Sequence, residues 1–136
     1  EIEMIEKKHR IEDALEAVKS AQSEGIVPGG GTTLLRCSCF EIKDASEDQR
    51  IGAEIIRKAL QAPIKQMAKN AGDSADLIVD KILNTKNLGW DFKKSELVNL
   101  VEEGIIDPAK VVRIALQNAV SVASTLVTTN NAIVEE

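Results

Sequence analysis

Aromatic residues are scarce in this sequence of 136 residues, which has one Trp, two Phe and no Tyr. Aliphatic side chains must therefore build the core of the fold. The chain also lacks a Walker-type phosphate loop of the form GxxxxGK, a nucleophile elbow and a cysteine-rich cluster. The two cysteines, Cys37 and Cys39, and the single histidine, His9, cannot form a recognisable zinc site. We predict no metal site, and interpret the cysteines as small apolar residues of a helix in a reducing compartment.

Neither the charge nor the hydropathy of the chain favours a nucleic acid or a membrane as a partner. The net charge of −5 provides no basic surface for nucleic acid. No apolar run approaches membrane-spanning length, and no signal peptide opens the chain. A content of 43% hydrophobic and 29% charged residues is typical of a soluble globular protein. The first residue is Glu1 rather than Met, which suggests a processed or excised segment.

Most of the residue pattern predicts α-helix. Residues 1–24 carry one apolar stripe that we expect to be buried, formed by Met4, Ile11, Ala14, Leu15, Val18 and Ala21. On the charged face Asp13 lies one turn from Arg10, so the pattern alone indicates a solvated ion-pair partner. The other predicted helices span residues 32 to about 40, 46–62 with a capping box from Ser46 and Gln49, 63–72, 74–83 and 107–126. Asp107 is the predicted cap of the last helix, and Pro108 its first residue.

A glycine turn (residues 29–31) follows the first helix, which Gly25 and Pro28 are expected to end. Two interpretations of the turn stay open. Backbone amides without a neighbouring Cβ can approach a nucleotide or phosphate closely, at the positive end of the helix that follows. The commoner role of such a turn is a tight joint between two packed helices.

Three short segments have the pattern of β-strands. Leu88, Trp90 and Phe92 alternate with smaller or polar residues, and residues 97–101 are expected to pair with them as a hairpin. The turn chemistry between these two strands is weak. Residues 132–134 read as a last strand, which needs a partner from elsewhere in the protein or from a neighbour.

Six motifs, taken in order and spacing, resemble the C-terminal portion of a group I chaperonin, the type found in bacteria, mitochondria and plastids. They are EKK at residues 6–8, RIEDAL at 10–15, EGIVPGGG at 24–31, EDQ at 47–49, GIIDP at 104–108 and KVVR at 110–113. The resemblance covers essentially the whole chain. Residues 36–37, 55–57, 68–72 and 105–108 are closer to the mitochondrial heat-shock branch than to the common bacterial one. This implies the mitochondrial matrix, with the bacterial cytoplasm as the alternative.

The resemblance implies a role in ATP-driven protein folding. Residues 1–24 would be the C-terminal part of the intermediate domain, a long helix. Residues 25–136 would be the C-terminal part of the multihelical equatorial domain, with its small β-hairpin and C-terminal strand. Family members form heptameric rings that work with a co-chaperonin and enclose unfolded polypeptides.

The site residues implied by the resemblance follow from their places in the motifs. Asp13 matches the catalytic aspartate, which positions or activates the water that attacks the γ-phosphate of ATP. Gly30 matches a backbone contact to the nucleotide, and Asp107 an acceptor for the ribose hydroxyls. Asp91 and Ile105 match neighbours of the adenine. The family's phosphate loop and Mg²⁺ ligand lie N-terminal to anything here, so this chain alone is not expected to hydrolyse ATP.

An alternative function is a diverged, non-hydrolysing structural or interaction module derived from a chaperonin equatorial domain. Phe92 and Lys93 stand where the family has small residues beside the adenine, and the hairpin after Asp91 lacks its usual glycine. Phe92 could crowd the purine or stack on it, and the sequence leaves both open.

Overall fold

The computed structural model describes residues 1–134. These residues form, in order, α1 (Ile2–Glu24), β1 (Ile26–Pro28), α2 (Thr32–Cys37), α3 (Glu47–Ala71), α4 (Ala75–Leu83), β2 (Gly89–Asp91), β3 (Glu96–Val98), β4 (Ile106–Pro108) and α5 (Ala109–Val127). The prediction of a mainly helical fold with a small hairpin is confirmed. The chain divides into two compact units, one of residues 1–25 with the segment from Pro108 onward, and one of Ile26–Asp107. The domain boundary after residue 24 that the resemblance implies stays a prediction.

The unit Ile26–Asp107 holds the hydrophobic core. Its buried members come from α2, α3, α4 and β2, and they are Leu35, Ile64, Ala68, Ile78, Val79, Ile82 and Trp90. Only Trp90 among them is aromatic, in agreement with the expectation of an aliphatic core. Phe92 and Leu97 of the hairpin region pack against this cluster from the side. The core therefore joins the hairpin to the three helices of this unit.

Helix α3 runs unbroken through Pro63, so the predicted break into two helices is wrong. A proline inside a helix removes one backbone hydrogen bond, but the helix continues where packing holds it on both sides of the proline. Leu60 and Ile64, which flank Pro63, are both buried in the core, whereas Pro63 itself is exposed. The burial on one face of α3 thus outweighs the lost hydrogen bond.

The predicted ends of α3 are confirmed. The Gln49 backbone N–H donates to Ser46 Oγ at 3.3 Å, and the Ser46 N–H donates to Gln49 Oε1 at 3.0 Å, which is the predicted capping box. Gly72 ends the helix in the left-handed conformation, with a φ of 81°.

Helix α2 is shorter than predicted and ends at Cys37 rather than near residue 40. Cys37 and Cys39 are both free and exposed. Cys37 is the last residue of α2 and Cys39 lies beyond it, so the prediction that both belong to a helix holds only for Cys37. The chain turns after the helix, where the Ser38 hydroxyl donates to the Leu35 carbonyl at 2.6 Å. A side chain that bonds back to the backbone in this way competes with continuation of the helix.

The hairpin is antiparallel, with Gly89 paired to Val98, Trp90 to Leu97 and Asp91 to Glu96. Strand β1 pairs with β4 in a second two-stranded sheet. Asp107 lies in β4, and α5 begins at Ala109 with Pro108 as its N-cap. The predicted cap at Asp107 is therefore wrong, because strand pairing extends one residue further than the sequence pattern indicated.

The unit that contains α1 and α5 has no fully buried residue in either helix. Ala17 and Ala21 of α1 and Val112 and Leu116 of α5 are half-buried. The predicted buried stripe of α1 is wrong, since Met4 is 77% exposed and Ile11, Leu15 and Val18 are more than half exposed. An amphipathic stripe shows which face of a helix could be buried, but that face is buried only where another element packs against it.

Residues 132–134 are not a strand in this structure. Ile133 and Val134 are almost fully exposed, and no strand among residues 1–134 pairs with them. A short strand is not stable without a partner. The predicted C-terminal strand is therefore absent among residues 1–134, because it has no partner strand there.

None of the helices within residues 1–134 is long and apolar enough to cross a membrane.

Candidate functional site

The glycine turn (residues 29–31) lies directly against the segment that leads into β4. The Gly29 N–H donates to the Ile105 carbonyl oxygen at 2.9 Å. A Cβ at Gly29 would stand 3.2 Å from both the carbonyl carbon and oxygen of Ile105. Two backbones approach this closely only where one residue has no side chain. Gly29 therefore brings the turn to Ile105.

Gly30 is the open member of the turn. Its φ is 63°, and a Cβ there would meet only the Trp90 carbonyl oxygen, at 3.8 Å. Gly31 differs, because a Cβ there would stand 3.1 Å from Ile64 and Met67 of α3. Gly29 and Gly31 are therefore packing glycines, as the interpretation of a tight joint requires. Gly30 is half-buried beside β2, and its contact to a nucleotide stays a prediction.

Asp91 of β2 is 6% exposed. Its Oδ1 accepts hydrogen bonds from the backbone N–H groups of Lys93 at 2.8 Å and Lys94 at 3.3 Å. The carboxylate thus closes the turn of the hairpin, which compensates for the weak turn chemistry of the sequence. Sequence reasoning placed Asp91 in the site and did not anticipate this role, although an aspartate just before a turn is its usual signal.

Ile105 is held in place from two sides. Its N–H donates to the Leu100 carbonyl at 2.7 Å, and its own carbonyl accepts from Gly29. The side chain is half-buried, as is that of Asp107 two residues later in β4. The Asp107 carboxylate makes no hydrogen bond or ion pair with any residue among 1–134. This segment therefore carries an apolar side chain and, two residues later, an uncommitted carboxylate, and the Gly29 hydrogen bond places the glycine turn against its backbone.

Asp13 lies in α1, in the other unit, and is exposed to solvent. Two ion pairs lie within α1, Lys8 to Glu12 and Lys19 to Glu16, and Glu24 at its end pairs with Arg113 of α5. Within the described residues Arg10 forms no ion pair with Asp13, so the interpretation of Asp13 as a surface ion-pair partner is wrong. An exposed carboxylate without a fixed partner is available to accept a hydrogen bond from another molecule.

Several residues near these positions were not singled out by sequence reasoning. Trp90 is buried and its indole N–H has no partner within residues 1–134, while the Lys81 ammonium lies 4.9 Å from its ring centroid. Lys94 forms an ion pair with Glu103 at 2.6 Å. The hydrogen bond to Glu103 raises the pKa of Lys94, and the negative charges of Glu103, Asp91 and Glu96 act in the same direction.

A cavity of about 340 Å³ is lined by residues of α2 and of the segments around the hairpin. Thr32, Arg36 and Asn99 are among the residues that line it, and none of the predicted site residues does. The Arg36 guanidinium there donates to the carbonyl oxygens of Leu88 and Thr85 at 2.7 and 3.1 Å. Arg36 therefore fastens the chain that follows α4, and this accounts for its position.

The side chains of Ile105 and Asp107 have the chemistry to bind the nucleoside part of a nucleotide. A half-buried isoleucine suits a purine face, and a carboxylate suits the two hydroxyls of a ribose. Among residues 1–134 no group of three or more His, Cys, Asp or Glu side chains is arranged to hold a metal ion.

The model of the TCP-1/cpn60 chaperonin family matches residues 1–136, and the chain belongs to this family. Among solved structures it is similar to a group III chaperonin in the open state, with 31% identity and a TM-score of 0.74. That match covers 84% of this chain and 25% of the other, so the chain spans about a quarter of that relative's length.

Proposed function

We propose that this chain is the part of an ATP-driven, protein-folding chaperonin that supplies the hydrolysis aspartate and one side of the nucleotide pocket. The observation that carries the proposal is the Gly29 to Ile105 hydrogen bond, at 2.9 Å. This bond brings together the glycine turn and the segment of Ile105 and Asp107, in a chain whose full length matches the chaperonin family.

In this proposal the residues of the unit Ile26–Asp107 bind the nucleoside of ATP. The backbone of Gly30 contacts the nucleotide, the Asp107 carboxylate accepts hydrogen bonds from the ribose hydroxyls, and Ile105 lies against the adenine. ATP, when bound with Mg²⁺, supplies the phosphoanhydride bond whose hydrolysis drives the folding cycle. The metal and phosphate ligands would come from outside the residues described here.

Asp13 has the role of the catalytic residue in this proposal. Its carboxylate accepts a hydrogen bond from the attacking water and takes up the proton that the water loses. An exposed position on α1 serves this role only if the helix moves over the nucleotide. Gly25, directly after α1, has a φ of 85°, and an added Cβ there would meet no atom within 4 Å. A hinge at this residue would have to break the bond from the Ala109 N–H to the Gly25 carbonyl.

The test is ATP binding and hydrolysis by the assembled protein that carries this sequence. Asp13→Ala should keep ATP affinity within a few-fold and lower turnover about 10²-fold to 10⁴-fold, the usual contribution of a general base. Glu6→Ala is the matched control, because Glu6 is also an exposed carboxylate of α1 without an ion pair among residues 1–134. Unchanged steady-state hydrolysis in Asp13→Ala would contradict the catalytic assignment.

Asp107→Ala tests the ribose assignment independently. Loss of a charged hydrogen-bond acceptor should raise the Kd for ATP about tenfold to a hundredfold. Asp80→Ala, which removes an exposed carboxylate from α4, should leave the Kd unchanged. A wild-type protein with no affinity for ATP would favour the non-hydrolysing interaction module instead.

The proposal extends to the assembly and its location. We infer a group I chaperonin of the mitochondrial matrix that forms heptameric rings, works with a co-chaperonin and encloses unfolded polypeptides. Support comes from family membership and from the six motifs of the sequence. Sedimentation of the native protein with and without a co-chaperonin ring, with and without ATP, tests this extension. A protein that stays monomeric, or that never binds the co-chaperonin, would overturn it.

A further inference from the structure

The cavity of about 340 Å³ lies within the unit Ile26–Asp107, and none of the residues assigned to the nucleotide lines it. It is formed where three segments of that unit meet, residues 28–36, 87–89 and 99–101. Its lining is mainly apolar with a few polar side chains, and sites for small molecules share this character and have volumes of about 300 to 1,000 Å³. Because all three segments belong to one unit, the cavity exists without a contribution from any other part of the protein.

Arg36 is the one charged residue among 1–134 that lines the cavity. Its Nη2 donates to the carbonyl oxygens of Thr85 and Leu88 at 3.1 and 2.7 Å. Nε and Nη1 donate to no group within the described chain, and the guanidinium has no carboxylate partner there. An arginine side chain is always charged and carries several N–H donors. The cavity therefore has a positive charge with unused donors and no carboxylate to balance it.

Two asparagine side chains add uncharged hydrogen-bonding groups to the lining. Neither the Asn87 nor the Asn99 amide forms a hydrogen bond within the described chain, and each can both donate and accept. Asn99 is half-buried and is held in place by its carbonyl oxygen, which accepts from the Glu103 N–H at 3.0 Å. Pro28 and Leu100 supply apolar surface to the same cavity. The lining therefore suits a ligand with one anionic group and a short uncharged body.

We propose that this cavity binds a small carboxylate, with the Arg36 guanidinium as its charged partner and the Asn99 amide as a second hydrogen-bond partner. The body of the ligand lies against Pro28 and Leu100. A carboxylate carries a single negative charge, which one guanidinium balances. A phosphate dianion would leave unbalanced charge in a mainly apolar cavity, which costs free energy. The inference is independent of the nucleotide pocket, since it uses none of the residues assigned there.

The first experiment compares butyrate with butyramide, which has nearly the same shape and no charge, as ligands of the assembled protein. Saturation-transfer difference NMR at constant ionic strength measures both. Butyrate should bind saturably, with a Kd of about 1 mM. Butyramide should bind at least about tenfold more weakly, because it lacks the charge-assisted hydrogen bond. Saturating ATP should not displace butyrate, since the residues assigned to the nucleotide do not line the cavity.

Variants locate the bound carboxylate in the protein. Val101 lines the cavity and is 48% exposed, so Val101→Phe should obstruct the cavity and abolish butyrate binding without a cost to the core. The matched control is Leu77→Phe, because Leu77 is 54% exposed on α4 and does not line the cavity. Arg36→Gln should reduce butyrate binding to the level of butyramide. This variant also loses bonds to backbone carbonyls, so Val101→Phe carries the test if Arg36→Gln does not fold.

The contrary results concern the existence, the charge and the place of the bound carboxylate. No saturable binding of butyrate by the wild type would overturn the inference, and would be found if another part of the native protein occupied the cavity. Equal affinities for butyrate and butyramide would contradict the role of the Arg36 charge. Displacement by ATP, or binding that survives Val101→Phe, would place the carboxylate outside this cavity. The proposed function is judged separately, by ATP binding and hydrolysis.

Discussion

Arg113 of α5 holds Glu24, the last residue of α1, through two parallel hydrogen bonds. Arg113 Nε lies 2.9 Å from Glu24 Oε2, and Nη2 lies 2.5 Å from Oε1. The same joint contains a backbone hydrogen bond, in which the Ala109 N–H donates to the Gly25 carbonyl at 3.0 Å. Neither helix has a fully buried residue, so these polar contacts add to the half-buried Ala17, Ala21, Val112 and Leu116 in linking α1 and α5. A bidentate arginine to carboxylate pair fixes orientation as well as distance.

Arg113→Lys should loosen this joint, because lysine cannot reproduce the two-pronged geometry. We expect faster hydrogen exchange at the Gly25 and Ala109 amides with little change in the unit Ile26–Asp107. Lys19→Gln, which removes an exposed charge from α1 and its pair with Glu16, serves as the control and should not alter exchange at the joint. Equal exchange in Arg113→Lys and the wild type would show that the backbone bond alone suffices.

The Glu24 pair should make the joint sensitive to acid. The hydrogen bond from Arg113 lowers the pKa of Glu24 below its ordinary value of 4.5. The stabilisation is therefore complete above 4.5 and disappears as the pH falls through the lower, folded-state pKa. Thermal unfolding of wild type and Glu24→Gln should differ at neutral pH and converge on the acid side of 4.5. A constant difference across this range would rule out the pair as its source.

Removal of a core side chain should be costly in the unit Ile26–Asp107. Leu35 and Ile64 are 0% and 1% exposed, so Leu35→Ala or Ile64→Ala should lower the free energy of unfolding by about 2 to 5 kcal/mol. Ile55→Ala is the matched control, because Ile55 lies on α3 at 64% exposure and its truncation should cost under about 0.5 kcal/mol. Denaturant titration measures both, and equal losses would contradict the assigned core.

Substitution by alanine should lower the free energy of unfolding at Gly29 and raise it at Gly52. Gly29→Ala places a Cβ 3.2 Å from the Ile105 backbone and should lower stability by about 1 to 3 kcal/mol, with weaker ATP binding. Gly52→Ala, inside α3 with no atom near its added Cβ, should raise stability by about 0.5 to 1 kcal/mol. If Gly29→Ala left stability unchanged, the close approach of Gly29 to the Ile105 backbone would be contradicted.

The isolated chain should associate through its exposed apolar surface. Val122, Leu126 and Val127 of α5 are 61%, 68% and 86% exposed, and Ile133 and Val134 are also exposed. Apolar surface of this extent favours association with other molecules. We expect binding of a hydrophobic dye and concentration-dependent light scattering. A sharp cooperative melt of a monomer would contradict this expectation.

The local features of the fold were predictable where a short stretch carries its own signal. The capping box of Ser46 and Gln49, the stop at Gly72 and the hairpin strands all rest on neighbours in sequence, and all are present. The continuous α3 and the exposed α1 stripe were not predictable, because both depend on which distant surfaces are available. The sequence around Pro63 or Leu15 is the same whether or not a distant element packs there, so it cannot show whether a helix continues or is buried.

The candidate site divides in the same way. The sequence by itself determined the family, through motif order, and the helical class, through periodicity and capping. It could not separate the three glycines of residues 29–31, since identical residues differ only in what lies opposite their missing side chains. Tertiary structure alone decided that Gly29 meets Ile105, that Gly30 stays open and that the Asp91 carboxylate bonds to the hairpin turn. Hydrogen bonds and close contacts act over a few ångströms between segments far apart in the chain, and only the folded backbone determines which segments meet.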